Sequence, residues 1–234
     1  MNGSSGLIRK SVAKKAIMAL TGLTLCLFLS VHLLGNITLL LKDSGSLTLY
    51  PATQSTGEFF KWVAHHYEAV PLIFYTGEIF LLLLFGTHIL LGITLWLQNR
   101  AARGPARYVL QKNEGGRTLG SGTMIYTGLF FIFAFLVIHL LNFRFTTHDG
   151  VQGLYDLVRS RFSQILWVAI YLTALLGLGV HLSHGFQSAF QSLGINHPRY
   201  TRYIKAFGLL FAVLIPLGFA LVPVLILTSS GGAG

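Results

Sequence analysis

Four histidines, His32, His88, His139 and His181, each sit well inside a separate long apolar stretch of this 234-residue chain. An ionisable side chain inside a membrane span is costly and rare, so each marks a functional position by default. A buried imidazole can ligate a metal through a neutral ring nitrogen or pass a proton along a relay. Depth helps to separate these uses. His32 lies 17 residues past Lys15, about 25 Å along a helix rising ~1.5 Å per residue. His139 is 21 residues past Thr118 and five before Arg144, about 31 Å along its own helix. Spans two and four run the opposite way, and His88 and His181 each lie 17 residues beyond the span start, at Pro71 and Gln164. The four therefore sort into two pairs at two depths, His32 with His139 and His88 with His181.

Zinc and copper sites usually gather three or four ligands at one level, often with carboxylates or thiolates. Here each level offers two imidazoles and no matching Asp, Glu or Cys. A proton relay would leave the twofold depth matching without a cause. Two nitrogens per level would fill both axial positions of an iron porphyrin, which then carries electrons and has no open site for oxygen chemistry. A local echo supports the grouping. Phe28 to Leu34 and Phe135 to Leu141 share Phe-x-x-x-His-Leu-Leu, while Gly86 to Gly92 and Gly179 to Gly185 share Gly-x-His-x-x-x-Gly. A glycine four residues after a histidine lies on the same helical face, where it would let a flat macrocycle approach the backbone. Close helix packing is the plainer use of such a glycine.

The elements that must hold these residues are membrane helices. The chain is 53% hydrophobic and only 10% charged, a membrane composition. Five segments, roughly 16–41, 71–97, 119–143, 164–187 and 204–228, are long enough to cross a bilayer, which takes about 20 apolar residues. Backbone groups in lipid must pair internally, so these runs are helices. The expected fold is all-α and integral to the membrane. One domain over 1–234 has four spans forming a haem-binding bundle and the fifth packed outside it. The first span carries His32 and Asn36 and lacks a small-x-small cleavage site, unlike a cleaved signal peptide. Cys26, the single cysteine, lies mid-span and reads as a small apolar residue. Without Cys-x-x-Cys-His, any haem is held by coordination and packing.

The net charge of +10 is polarised rather than diffuse. Of the 17 basic residues, 12 fall on one side if the spans alternate: Arg9, Lys10, Lys14, Lys15, Arg100, Arg103, Arg107, Lys112, Arg117, Arg199, Arg202 and Lys205. The other side keeps Lys42, Lys61, Arg144, Arg159 and Arg161, diluted by acids. The positive-inside rule then places the N-terminus in the cytoplasm and the C-terminus outside, as in a bacterial cytoplasmic membrane, and removes the case for a nucleic-acid partner. The His32/His139 pair becomes the outer one and His88/His181 the inner one. Residues 58–67 mix aromatic and charged side chains as an interfacial helix does, and Tyr155 to Val158 read as one helical turn in the outer 144–163 loop. His65, His66, His148 and His197 read as solvated loop residues. Glu78, a carboxylate inside span two, has two readings: proton transfer, or a hydrogen bond to a neighbouring helix.

Several stretches carry a resemblance: Met18 to Gly22, His32 to Asn36, Phe85 to His88, Asn99 to Arg103, His181 to Phe190 and Gln191 to Gly194. The chain resembles the single-subunit, di-haem cytochrome b anchor of succinate:quinone oxidoreductases (succinate dehydrogenase and fumarate reductase, complex II), over about Lys14 to Pro223. The resemblance implies two b haems on His32, His88, His139 and His181. It also implies a flavoprotein subunit with FAD and an iron–sulfur subunit docked on the cytoplasmic face. The chain would be the electron-transfer subunit of that enzyme, linking the clusters to a membrane quinone. By the same analogy the quinone, menaquinone in the expected case, binds near the outer haem, where Glu58, Lys61 and Glu68 are candidates. Arg100, Arg103, Arg107, Arg202 and His184 are candidates for haem propionates or partner docking. Some members carry a glutamate two residues before the span-four ligand, tied to a transmembrane proton path; here Gly179 takes that position, so the resemblance does not extend to that route. Two other classes remain open: a di-haem cytochrome b of a hydrogenase or nitrate reductase, and a haem-free transporter or scaffold.

Overall fold

Lipid offers a peptide group no partner, so every apolar run of this length must satisfy its own backbone as a helix. The computed structural model describes residues 2–40, 61–62, 64–66, 69–103 and 119–230. Five long helices emerge: α1 (Asn2–Ile37, continued by a 3₁₀ turn Thr38–Leu40), α2 (Pro71–Arg103), α3 (residues 119–144), α5 (Ile165–Ser192) and α6 (Pro198–Ser230). Between α3 and α5 lies a shorter α4 (Gly150–Phe162). All five long helices are long and apolar enough to cross a membrane. The chain is a multi-pass integral membrane protein by this criterion. Its surface agrees, since large apolar side chains such as Leu72 (80% exposed) and Leu176 (74%) face outward, which lipid tolerates and water does not.

The helices overrun the expected spans. α2 continues to Arg103 rather than 97, α5 to Ser192 rather than 187, and α6 begins at Pro198 rather than 204. Hydropathy marks where lipid ends, whereas a helix stops only at a breaker. For α5 the breaker is Gly194, at φ +81°. Ile195 N–H donates to the Phe190 carbonyl (2.9 Å) and Gly194 N–H to that of Gln191 (3.1 Å). This paired closure needs a left-handed residue that glycine adopts without strain. Pro198 then opens α6 at a position where a missing N–H costs nothing.

Only a single turn was expected around Tyr155, yet α4 runs for 13 residues. It is amphipathic rather than apolar, so it escapes a search for spans. Tyr155, Val158 and Phe162, spaced i, i+3, i+7, are buried against Leu39, Val168, Tyr171, Val222 and Ile226. Gln152 instead donates to both Asp156 carboxylate oxygens at 3.0 Å on the exposed face. In the neighbouring segment, residues 61–62 and 64–66 are helical too.

Packing gives the long helices a ring order. α1 lies against α2 on one side and α5 on the other, α3 packs on α5, and α2 touches α3 only lightly. α6 sits outside that ring, against α5 and α1. Small residues allow the close approach. A Cβ on Gly179 would lie 3.1 Å from the Ala212 carbonyl oxygen, one on Gly218 2.8 Å from Leu33, and one on Gly208 2.9 Å from Phe186. Gly179 thus faces α6, and the glycine before His181 serves helix packing, while Gly86 before His88 has open space beside it.

Candidate functional site

The ring order makes α1 and α3 opposite neighbours, and likewise α2 and α5. Each diagonal carries one histidine pair. His32 and His139 have ring centres 5.9 Å apart and nearly perpendicular planes (89°). His88 and His181 lie 6.5 Å apart at 68°. A metal–imidazole bond of about 2.0–2.1 Å on either side of one ion places two trans ring centres roughly 6 Å apart. Both pairs sit close to that spacing. Among the described residues no group of three or more His, Cys, Asp or Glu converges, so three-ligand metal sites have no candidate there.

The two pairs have different walls. Around the His32/His139 pair are aromatic rings: Phe28 stacks on His32 at 5.3 Å, Phe219 lies 5.6 Å from it, and Phe135 and Phe143 flank His139 at 5.7 and 5.4 Å. Tyr171 places its hydroxyl 3.2 Å from His139 Nδ1. Around the His88/His181 pair are small and flexible groups, and they repeat. Met18-Ala-Leu-Thr21-Gly22 on α1 serves His88, and Met124-Ile-Tyr-Thr127-Gly128 on α3 serves His181. Thr21 Oγ1 lies 3.0 Å from His88 Nδ1, and Thr127 Oγ1 3.3 Å from His181 Nδ1. A Cβ on Gly22 would stand 3.2 Å from His88 Cε1, and one on Gly128 3.3 Å from His181 Cε1. Both glycines therefore admit an imidazole where an alanine would press on it. Gly92 and Gly185, four residues past the two histidines, instead meet the methyls of Met18 and Met124 at 3.4 and 3.7 Å.

One residue breaks the repeat, and α3 absorbs it. Eleven residues separate Thr21 from His32, but twelve separate Thr127 from His139. At about 100° per residue, eleven steps bring two side chains within about 20° of one face, and twelve leave them about 120° apart. Helix α3 is not uniformly α: Leu119–Tyr126 is α, Thr127–Phe133 is π, Ala134–His139 is α and Leu140–Arg144 is π. A π turn bonds i to i+5 and takes up one residue more than an α turn. The first π segment lies between Thr127 and His139, where it returns both to the bundle interior.

The second π segment follows His139 and carries Asn142 inward, where it is buried, and Arg144 towards α2. Arg144 grips Glu78 with a fork, Nε on Oε1 and Nη2 on Oε2 (3.0 Å), and its guanidinium lies over the Phe74 ring. Of the two roles open to Glu78, the structure displays the bond to a neighbouring helix. Two buried side-chain nitrogens lack a partner among the described residues, Arg161 Nε and His184 Nδ1, while the buried Asn142 amide has the Tyr171 hydroxyl beside it. Asn142 follows His139 by three residues and His184 follows His181 by three. An unpaired buried donor is rare enough to require an explanation.

The remaining sequence candidates scatter. Lys61 Nζ lies 4.9 Å over the buried Tyr155 ring, while Glu58, Glu68 and Arg107 lie outside the described residues. Arg100 is exposed and stacks on Trp96, and Arg202 stacks on Tyr203. Arg103 closes α2, its side chain outside the description. His65 and His66 sit exposed in the short helical segment, and His148 and His197 lie in the irregular connections between helices. Thr127, Asn142, Tyr171 and Arg144 were not foreseen as site residues. Aligning Met18 to Gly22 with Met124 to Gly128 would have found Thr127. No family model, curated protein or solved structure matches this chain.

Proposed function

We propose that the chain is the membrane-anchor cytochrome b subunit of a succinate:quinone oxidoreductase, holding two b haems between its four ring helices. The observation that carries this is the two diagonal imidazole pairs, 5.9 and 6.5 Å apart at two levels of one bundle. A haem held by His32 and His139, and another held by His88 and His181, would supply one-electron transfer. The unpaired Arg161 and His184 nitrogens, beyond the outer and inner pairs, suit carboxylate groups of the kind a haem carries. Aromatic rings round the outer pair and methionine methyls round the inner pair give apolar walls that exclude water.

The rest of the reading rests on the resemblance and on charge. Arg100, Arg103 and Arg202 belong to the basic, cytoplasmic side, where a flavoprotein and an iron–sulfur subunit dock. The quinone, menaquinone in the expected case, reacts beside the outer pair, near Lys61, Glu58 and Glu68, which can supply protons to its carbonyls. The N-terminus is cytoplasmic and the C-terminus outside.

Purification of the chain from its native membrane tests the assignment. Co-purification of a flavin-bearing and an iron–sulfur subunit, with succinate-dependent quinone reduction, is expected. A hydrogenase- or nitrate-reductase-type partner in their place would assign the cytochrome to another oxidoreductase, and absence of haem would leave a transporter or scaffold.

A further inference from the structure

We infer that Thr21 and Thr127 are positioning residues that hold the inner imidazoles in one tautomer, with Nδ1 protonated and Nε2 free for the metal. This rests on the haem reading above. A threonine hydroxyl has one hydrogen. In Thr21 it points to carbonyls that can only accept, those of Ile17 at 2.9 Å and Met18 at 3.0 Å. In Thr127 the same place is taken by the carbonyls of Thr123 at 3.1 Å and Met124 at 3.2 Å. With the hydrogen committed to the helix, each Oγ1 has only lone pairs to offer His88 and His181. Both imidazoles must then donate Nδ1–H, which leaves the lone pair on Nε2, the atom that faces away from the threonine. A ligand histidine whose other nitrogen is so held keeps its ring orientation and becomes a stronger donor.

Three features set these threonines apart from ordinary helix-bonded ones. Both are buried, among only four buried polar side chains in the described residues. Both precede a glycine whose missing Cβ makes room for the imidazole they hold. And the π segment of α3 starts at Thr127 itself, so the register of this threonine against His181 is kept while His139 is returned to His32. Other threonines in the spans, such as Thr24, Thr94 and Thr173, bond their own helix and show no imidazole contact.

The test compares Thr→Val, which keeps shape and removes the acceptor, with Thr→Ser, which keeps the acceptor. Thr21→Val, Thr21→Ser, Thr127→Val and Thr127→Ser would each be made in the whole complex. Haem content and the midpoint potential of each haem would be read by redox titration of the absorbance bands. With the threonine acceptor gone, each imidazole keeps only the Met18 or Met124 backbone carbonyl as a partner, and the weaker donor favours ferrous iron. The valine variants should therefore raise the inner haem's potential, or lose that haem, with the outer haem unchanged. The serine variants should keep both haems near the parent potentials. Valine variants that retain an inner haem at the parent potential would overturn the inference, as would a shift confined to the outer haem. Loss of the inner haem in serine and valine variants alike would reduce the site to packing and overturn it too. If the parent complex holds no haem, the proposed function fails first and this inference falls with it.

Discussion

Helix α3 carries one residue more between Thr127 and His139 than α1 carries between Thr21 and His32, and a π turn takes it up. Removing one residue there, for example by deleting Phe130, an exposed side chain, should heal α3 to a plain α-helix with the eleven-residue spacing that already works in α1. Both histidine pairs, and both haems, should survive. Inserting one alanine after Phe130 has the opposite effect. Unless a second π turn forms, the added step turns His139 by about 100° and lifts it ~1.5 Å; at a side-chain radius of about 5–6 Å this moves the ring roughly 8 Å. That exceeds the whole 5.9 Å between the His32 and His139 rings. The outer haem should be lost while Thr127 and the His88/His181 pair, on the near side of the insertion, stay in place. Reduced-minus-oxidised spectra of solubilised membranes, with haem extracted and counted per chain, would read both variants. An insertion that leaves two haems, or a deletion that removes the outer one, would refute this account of the π segment.

Other perturbations follow from named contacts. Gly22→Val should lower inner-haem content, because even a Cβ would stand 3.2 Å from His88, whereas Gly92→Ala, meeting only a methionine methyl at 3.4 Å, should leave both haems; haem counting again decides. Glu78→Ala and Arg144→Ala should each lower the thermal midpoint of the purified protein, and the double variant should lose less than their sum. A coupling of about 0.5–3 kcal/mol is the range for contacting residues, and strict additivity would deny that the fork ties α2 to α3. Cysteine placed at position 149 of intact cells should react with an impermeant reagent and cysteine at position 103 should not; the reverse labelling would invert the topology.

What could be read from the amino-acid sequence follows from which physics acts locally. Lipid imposes a minimum apolar length on each helix, so five spans are visible in hydropathy alone. Constant helical rise turns residue counts into depth, which is why His32 with His139 and His88 with His181 could be paired without coordinates. Rotation about the helix axis was harder. It depends on α3 winding partly as a π-helix, and a π turn leaves no composition mark beyond the one-residue offset between two repeats. The amphipathic α4 was shortened to one turn because its polar face hides it from a search for apolar runs. The Arg144–Glu78 fork joins residues 66 apart in the chain, and only the ring order of the helices brings them together. Gly179 was read beside His181 as part of a shared motif, but its own contact is the backbone of α6.

The most direct test of the central claim is to count and separate the haems. Pyridine haemochrome analysis of the purified chain, with spectra of His32→Ala and His88→Ala variants beside it, should give two low-spin b haems. Each variant should lose or convert a different one. A chain without haem, or two variants that remove the same spectral component, would contradict the two-level pairing on which the account stands.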